Sequence, residues 1–370
     1  LSLSTTIAGW LASINYIGYF IGALIAMFVP QRLTWQTMTL WAIISVITTM
    51  LLVVPDMSLT LWYIIRLIAG IASGVAMILS SSFVIQTLSP ERRSVLSAVH
   101  YAGIGVGISA SAIVTWWLLK LDYHFDVIWL VAGVTSLPLV WLLYAIKPRQ
   151  VRAVDSQQID AKQHVSVHQT YVNFKRSLYE AISGHHKALT LLFVSYVLAG
   201  FGYISSATFL PVMAAQRLTT QTYAGLMIWL VVGIFAMLSN PLWGALAKRI
   251  GEIKTLMGLT VLQAFGMCLP IWFDGALGLY GNAAILGLTF VGMVSMTLTL
   301  FKNINPAYSN LLIALATLAY ALGQFLGPLV TVALAGKDGN FNAGLLVAAF
   351  GLMIGFVLLV WFRRQSPTTA

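Results

Sequence analysis

The chain has 370 residues, of which 59% are hydrophobic and only 8% are Asp, Glu, Lys or Arg, with a formal net charge of +10. Ordinary globular proteins contain about a quarter charged residues, so this composition and the mean hydropathy of +0.89 exclude a soluble domain and indicate an integral membrane protein. The single cysteine, Cys268, excludes an intrachain disulfide and a cysteine-based metal site.

Eleven apolar runs are each long enough to cross about 30 Å of hydrocarbon as an α-helix. They lie near 7–29, 36–54, 60–87, 95–119, 126–146, 188–211, 222–243, 254–273, 278–300, 308–334 and 342–362. The runs exceed the roughly 10 residues of a membrane β-strand and lack its polar alternation. The predicted fold class is therefore an all-α membrane protein.

The one long gap between these runs, residues 147–187, is a polar and basic linker. Its second half places apolar residues at helical spacing, namely Tyr171, Phe174, Leu178 and Ile182. This pattern fits an amphipathic helix on the inner leaflet, and a simple tether is the alternative. The linker histidines do not form a metal-ligand pattern, so no metal site is predicted.

The distribution of basic residues predicts the orientation. If the loop with Arg92 and Arg93 is cytoplasmic, alternation puts sixteen of the twenty Lys and Arg residues on that side. Three lie opposite, and Arg66 alone falls within a span. This bias follows the positive-inside rule. It predicts a multi-pass protein of the bacterial inner membrane with a cytoplasmic C-terminus, and it disfavours nucleic acid as a partner.

An internal comparison suggests two copies of one helical unit. Ala8–Gly9 and Ala224–Gly225 are 216 positions apart, and the G-x-x-x-G pairs at 103–107 and 323–327 are 220 apart. The counterpart of the helix near 188–211 would precede residue 1, so we expect the first helix of a six-plus-six arrangement to be missing. The expected division is 1–146 and 188–362 as helical bundles, 147–187 as linker and 363–370 as tail.

Several motifs resemble the major facilitator superfamily. They are Arg66, Gly70 and Gly74 as R-x-x-x-G-x-x-x-G, the stretch "GALAKRIGEIK", and the phrases "AGWLASINYIGYFIGAL" and "GFGYISSATFLP". The last two are similar to its YbfB/YjiJ-like branch. The resemblance covers essentially the whole chain. It implies two pseudo-symmetric bundles of six helices, of which eleven helices are present, and secondary transport by alternating access.

The gating motifs of that superfamily are only partly present. Gly244, Arg249 and Gly251 match the inter-helix signature, but Lys248 replaces its Asp and Glu252 follows the second Gly. The antiporter signature is fragmentary, with matching positions at Gly103, Gly107, Gly323, Gly327 and Pro328. These glycine pairs are read either as helix-packing positions, which we favour, or as gating elements.

All ten acidic residues fall in loops or at span ends, which leaves Arg66 and His100 as the ionisable groups within the membrane. An unpaired Arg at the bilayer centre costs at least about 2.5 kcal/mol, so Arg66 should face the interior and have a partner. Helical rise puts Arg66 and His100 in opposite halves of the membrane. His100 is read either as a proton relay or ligand contact, or as a packing residue.

The resemblance places a substrate cavity along the family's helices 1, 4, 7 and 10, with contributions from 2, 5, 8 and 11. The polar candidates there are Asn15, Tyr16, Arg66, His100, Tyr101, Tyr203, Tyr320 and Gln324. Cationic and aromatic groups without an acid suggest an anionic or neutral, partly apolar solute, and His100 would allow proton coupling. We expect a monomer without a cofactor.

Other classes of function fit the sequence less well. Ser73 in "GIASG" faintly resembles an intramembrane protease motif, but helical rise separates it from His100 by far more than the ~3 Å that a nucleophile and its base require. No H-E-x-x-H and no nucleotide-binding G-x-x-x-x-G-K-[ST] is present, so no enzyme is predicted. The alternative to a transporter is a sensor or assembly partner with the same fold, which would lack a polar cavity between the halves.

Overall fold

The computed structural model describes residues 5–29, 33–54, 57–87, 90–145, 167–336 and 339–365. In these ranges the chain forms twelve α-helices, one short 3-10 helix at Pro306–Tyr308, and no strand. The α-helices are α1 Thr5–Met27, α2 Thr34–Leu51, α3 Leu59–Thr87, α4 Pro90–Lys120, α5 Phe125–Ala145, α6 Val167–Ile182, α7 His186–Arg217, α8 Ala224–Ile250, α9 Glu252–Trp272, α10 Ala276–Ile304, α11 Ser309–Ala335 and α12 Asn342–Gln365. The all-α prediction is confirmed.

Ten helices in the described part of the chain are long and apolar enough to cross a membrane, namely α1, α3 to α5 and α7 to α12. The remaining predicted helix, α2, is present but more polar. Its hydroxyl groups bond to carbonyls of their own helix, as Thr39 does to Trp35 at 2.8 Å and Thr49 to Ser45 at 2.9 Å. Polar side chains are tolerated in lipid when they are satisfied in this way.

Glycines allow the helices within each half to approach closely. In the N-terminal half (α1–α5), a Cβ on Gly70 of α3 would lie 2.0 Å from the Asn15 carbonyl oxygen of α1. In the C-terminal half (α7–α12), a Cβ on Gly287 of α10 would lie 2.2 Å from the Val232 oxygen of α8. Small residues at such contacts are how helices pack where lipid offers no hydrophobic gain.

The two halves meet along two helix pairs. In the first, α1 packs against α11, where Gly9 lies beside Val332 and the Ser13 hydroxyl donates to the Phe325 carbonyl at 3.3 Å. In the second, α4 packs against α8, where Gly105 lies beside Gly233. The space between these two pairs is where a cavity can form.

The two G-x-x-x-G pairs of the antiporter signature differ in their surroundings. A Cβ on Gly323 would lie 2.0 Å from the Val197 oxygen of α7, and one on Gly327 would lie 2.2 Å from Ile204. Among the described residues, no atom lies within 4 Å of a Cβ built on Gly103 or Gly107. The C-terminal pair therefore packs against α7, and Pro328 follows it inside α11.

The inter-helix signature forms a one-residue junction. Helix α8 continues through Lys248 and Arg249 to Ile250, and α9 begins at Glu252. Gly251 between them has φ 91°, a backbone conformation that glycine adopts without strain. Glu252 lies within electrostatic range of Lys302 at the end of α10. Gly244 faces open space in the described structure.

Helix α6 contacts residues of both halves. The Phe174 ring lies 5.1 Å from that of Phe28, just after α1. On the other side, Tyr308 donates a hydrogen bond to the Glu180 carboxylate, which also accepts one from Arg176 at 2.8 Å. Both hydrogen bonds hold the pKa of the Glu180 carboxyl below its usual value, and the bond from Tyr308 has the larger effect. The carboxylate therefore stays charged at neutral pH.

We predict that Glu180→Ala releases α6 from the α10–α11 connection, because the acceptor of both hydrogen bonds is removed. Trypsin should then cleave after Lys175 or Arg176 severalfold faster in the purified protein, since cleavage requires local opening of the helix. Tyr179→Ala is the matched control, because that side chain is 75% exposed on the same helix. Equal cleavage rates in the two variants would show that the Glu180 contacts do not hold α6.

Candidate functional site

A cavity of about 360 Å³ lies between the halves. Its wall is formed by α1, α3 and α4 from the N-terminal half and by α7, α10 and α11 from the C-terminal half. Nineteen residues line it: Asn15, Tyr16, Tyr19, Ser73, Met77, Ile78, Ser81, Tyr101, Ile104, Tyr196, Tyr203, Phe290, Val291, Val294, Leu298, Ile313, Thr317, Tyr320 and Gln324. The volume suits a small organic molecule.

Helical spacing explains why these side chains converge. On α7, Tyr196 and Tyr203 are seven residues apart and therefore share one face. On α11, Thr317, Tyr320 and Gln324 follow at intervals of three and four residues. Residues at such intervals lie above one another on a helix. Helices α7 and α11 thus each present one polar or aromatic stripe to the cavity.

Aromatic rings form a continuous wall on the side of the cavity that belongs to the C-terminal half. The Tyr203 ring stacks on Phe290 with centroids 4.7 Å apart, and the Tyr320 ring lies 6.1 Å from Tyr203. Tyr196 extends the row at 4.7 Å from Tyr320. These separations lie in the range of favourable aromatic pairs. The wall offers flat apolar faces edged with hydroxyl groups.

The remaining polar groups at the cavity are neutral. Asn15 and Gln324 contribute amides that make no hydrogen bond to any other described residue, so both remain available to a ligand. The Ser73 and Thr317 hydroxyls donate to carbonyls of their own helices, at 2.9 Å each, and keep lone pairs free to accept. Within the described ranges, no charged side chain lines the cavity.

Six of the eight residues that the sequence singled out lie at this cavity: Asn15, Tyr16, Tyr101, Tyr203, Tyr320 and Gln324. Arg66 and His100 do not line it. Arg66 is seven residues before Ser73 on α3, so it shares the cavity-facing stripe of that helix about 10 Å away by helical rise. It lies within electrostatic range of the Tyr16 hydroxyl and forms no ion pair with the described residues.

His100 reaches the cavity through one intermediate. Its Nε2 atom lies 3.4 Å from the Ser81 hydroxyl oxygen, and Ser81 lines the cavity. Tyr101, the next residue on α4, also lines the cavity and its hydroxyl is in hydrogen-bonding range of Ser81. The expected separation of His100 from Arg66 agrees with these positions, because Ser81 and Arg66 are fifteen residues apart on one helix.

The sequence reasoning missed two kinds of lining residue. Tyr19 and Tyr196 stand at helical intervals from the predicted Tyr16 and Tyr203, so spacing alone would have identified them. The apolar wall of α10, including Phe290 and Val291, has no such signal because its residues resemble those that face lipid. Within the described part of the chain, no group of three His, Cys, Asp or Glu side chains is placed to hold a metal ion.

Comparison with known proteins agrees with this architecture. The family profile described as "Uncharacterised MFS-type transporter YbfB" matches residues 1–360. The uncharacterised MFS-type transporter YceJ of Bacillus subtilis is 22% identical over 99% of this chain and 89% of its own length. A D-arabinitol transporter of Klebsiella pneumoniae is 24% identical over 45% of this chain and 40% of its own length.

Proposed function

The chain belongs to the major facilitator superfamily, in its YbfB-type transporter family, and from that premise we propose that it moves a small, neutral, polar solute by alternating access around the tyrosine-lined cavity. Family membership makes the protein a transporter of a small solute and not an enzyme. The observation that carries the choice of substrate is the uncharged lining of the cavity, which is largely apolar and aromatic and carries hydroxyl and amide groups.

Solute chemistry follows from the groups at the wall. Amides and hydroxyls that are free to exchange hydrogen bonds suit a molecule with several hydroxyl groups, and the aromatic faces suit its carbon skeleton. A buried polar site discriminates strongly against molecules that leave its groups unpaired. One relative is described as a D-arabinitol transporter, and D-arabinitol is a polyol, which supports a polyol as the solute. An organic anion is the second candidate, because Arg66 lacks an ion-pair partner among the described residues.

Proton coupling is a further part of the proposal, with His100 as the group that carries the proton. Its link through Ser81 to the cavity supports this role, and imidazole titrates near neutral pH. We also propose a monomer in the bacterial inner membrane, with the 147–187 linker between bundles 1–146 and 188–362 and with the 363–370 tail in the cytoplasm. The sided distribution of basic residues supports that orientation.

Uptake into proteoliposomes tests the proposal. We expect the wild-type protein to accumulate D-arabinitol above the level of empty liposomes, more strongly with an inward proton gradient, and to transport citrate and choline poorly. Arg66→Ala should retain polyol uptake. Citrate uptake that disappears in Arg66→Ala would transfer the assignment to an anionic substrate. If the folded protein took up none of these probes, the sensor or assembly role would gain support.

A further inference from the structure

Two side chains of α8 bind the backbone of α10 beside the cavity. The Ser239 hydroxyl donates to the Leu288 carbonyl oxygen at 2.6 Å and accepts from the Gly292 N–H at 2.9 Å. Trp243 donates its indole N–H to the same carbonyl at 2.6 Å. The Gly292 N–H and the Leu288 carbonyl are four residues apart, which is the separation of the hydrogen-bonded pair in an α-helix.

The contacts of Ser239 and Trp243 engage the Leu288 carbonyl and the Gly292 amide of α10. A carbonyl oxygen has two lone pairs, and here the two donors of α8 occupy both. A backbone amide has one proton, and Ser239 accepts it. The Ser239 hydroxyl therefore bridges the Leu288 carbonyl and the Gly292 amide, the two backbone groups that a helical hydrogen bond of α10 joins.

The pseudo-symmetry of the two halves provides an internal reference. Adding 217 to the numbers of Gly70 and Asn15, which touch in the N-terminal half, gives Gly287 and Val232, which touch in the C-terminal half. The two contacts are therefore equivalent positions of the repeated unit.

The same offset takes Gly22 of α1 to Ser239 of α8, and takes Ile71 and Val75 of α3 to Leu288 and Gly292 of α10. A Cβ on Gly22 would lie 2.4 Å from the Ile71 oxygen and 3.1 Å from the Val75 nitrogen. Gly22 thus lies against the equivalent carbonyl and amide but has no side chain to insert between them. Of these two equivalent positions, the one in the C-terminal half carries a hydroxyl that contacts the backbone of the neighbouring helix.

The affected turn forms part of the cavity wall. Phe290 and Val291 lie between Leu288 and Gly292 and both line the cavity, and Phe290 stacks on Tyr203. Helix α8 also meets the other half, because Gly233 lies against Gly105 of α4. One helix therefore touches both the boundary between the halves and the backbone that carries the aromatic wall.

We propose that Ser239 and Trp243 are positioning residues for transport: they fasten the Phe290–Val291 wall to α8 and so link the shape of the cavity to the contact between α4 and α8. This inference rests on the proposed function, since it assigns the cavity as the transport site. The hydroxyl and indole act through backbone groups and are not expected to touch the solute themselves.

A cysteine placed in the cavity wall tests the positioning role without any substrate. Cys268 is the chain's single cysteine, so Cys268→Ser with Val294→Cys gives one reactive thiol at the cavity. Adding Ser239→Ala should release the α10 wall and make alkylation by N-ethylmaleimide severalfold faster. Ser205→Ala is the matched control, because that buried hydroxyl donates only to the Phe201 carbonyl of its own helix.

Transport kinetics provide the second measurement. With D-arabinitol as probe, Ser239→Ala should raise KM severalfold relative to both the wild type and Ser205→Ala. Should Ser239→Ala fail to fold, Trp243→Phe removes one donor and keeps an aromatic ring, and should accelerate alkylation to a smaller extent. Alkylation rates equal to those of Ser205→Ala would overturn the positioning role. A lack of D-arabinitol uptake together with accelerated alkylation would count against the substrate and leave the positioning role supported.

Discussion

Tyr203→Ala is expected to lower the efficiency of solute uptake about 5- to 150-fold. The ring stacks on Phe290 at 4.7 Å and faces Tyr320 at 6.1 Å, so its loss breaks the aromatic wall in the middle. Aromatic pairs contribute about 0.5–1.5 kcal/mol each beyond buried area. Two such pairs together correspond to a roughly 5- to 150-fold change in rate or affinity.

The measurement is initial-rate uptake of D-arabinitol into proteoliposomes, normalised to the amount of inserted protein. Tyr203→Phe retains the ring and should keep most of the activity, which separates stacking from loss of the hydroxyl. Tyr280→Ala is a control for tyrosine truncation away from the cavity, since Tyr280 pairs with Gln221. If Tyr203→Ala and Tyr280→Ala had the same uptake, the aromatic wall would not be part of the solute's path.

Gly70→Ala is expected to be the most damaging single-methyl change in the N-terminal half. Its Cβ would lie 2.0 Å from the Asn15 oxygen, whereas a carbon and a carbonyl oxygen normally stay at least about 3.3 Å apart. Helix α1 would have to move by roughly 1 Å or more. Overpacking of this kind costs about 1–3 kcal/mol. Asn15 and Tyr16 would move with it, so cavity geometry would also change.

The yield of monodisperse protein in mild detergent and the midpoint of thermal unfolding report this damage. Gly258→Ala is the matched control, because that glycine lies in the middle of α9 and nothing described is within 4 Å of the added carbon. Alanine also favours a helix over glycine by about 1 kcal/mol, so the control should be neutral or slightly stabilising. A Gly70→Ala protein as stable as the control would contradict the close contact of α1 and α3.

The arrangement of helices was predictable because lipid imposes a simple rule. Each run had to be about 20 apolar residues long to satisfy its own backbone within the bilayer. Helix α2 shows the limit of that rule, since it forms despite several threonines whose hydroxyls bond internally. The junction at Gly251 shows a second limit of the rule. Lys248 and Arg249 lie beyond the apolar run predicted at 222–243, but they form the exposed last turn of α8.

The cavity was predictable where polarity marked it. Asn15 and Gln324 stand out in apolar helices, and helical spacing then identifies their neighbours. The α10 wall was not predictable, because Phe290 and Val291 differ from lipid-facing residues only in their position. The contact of Ser239 with the α10 backbone was also not predictable. A serine in an apolar helix cannot be distinguished from a small packing residue until its hydrogen-bond partner is known.

The position of Arg66 was predictable only in part. Sequence reasoning required a partner for this cation, and the structure puts the Tyr16 hydroxyl in electrostatic range without an ion pair among the described residues. A helical stripe links Arg66 to Ser73, but whether a side chain reaches a cavity depends on the neighbouring helices. Its role in binding an anionic solute stays a prediction, as does that of His100 in carrying a proton.

Among the described residues, the buried apolar side chains are unevenly divided between the halves. Two of the three clusters draw nearly all their members from α6 to α12, whereas the third is small and takes Leu318 from α11. Because the free energy of local opening follows the density of buried contacts, we expect the two halves to differ in stability. The contacts among α1 to α5 should loosen more readily than those among α7 to α12, so amide exchange should be faster in the N-terminal helices.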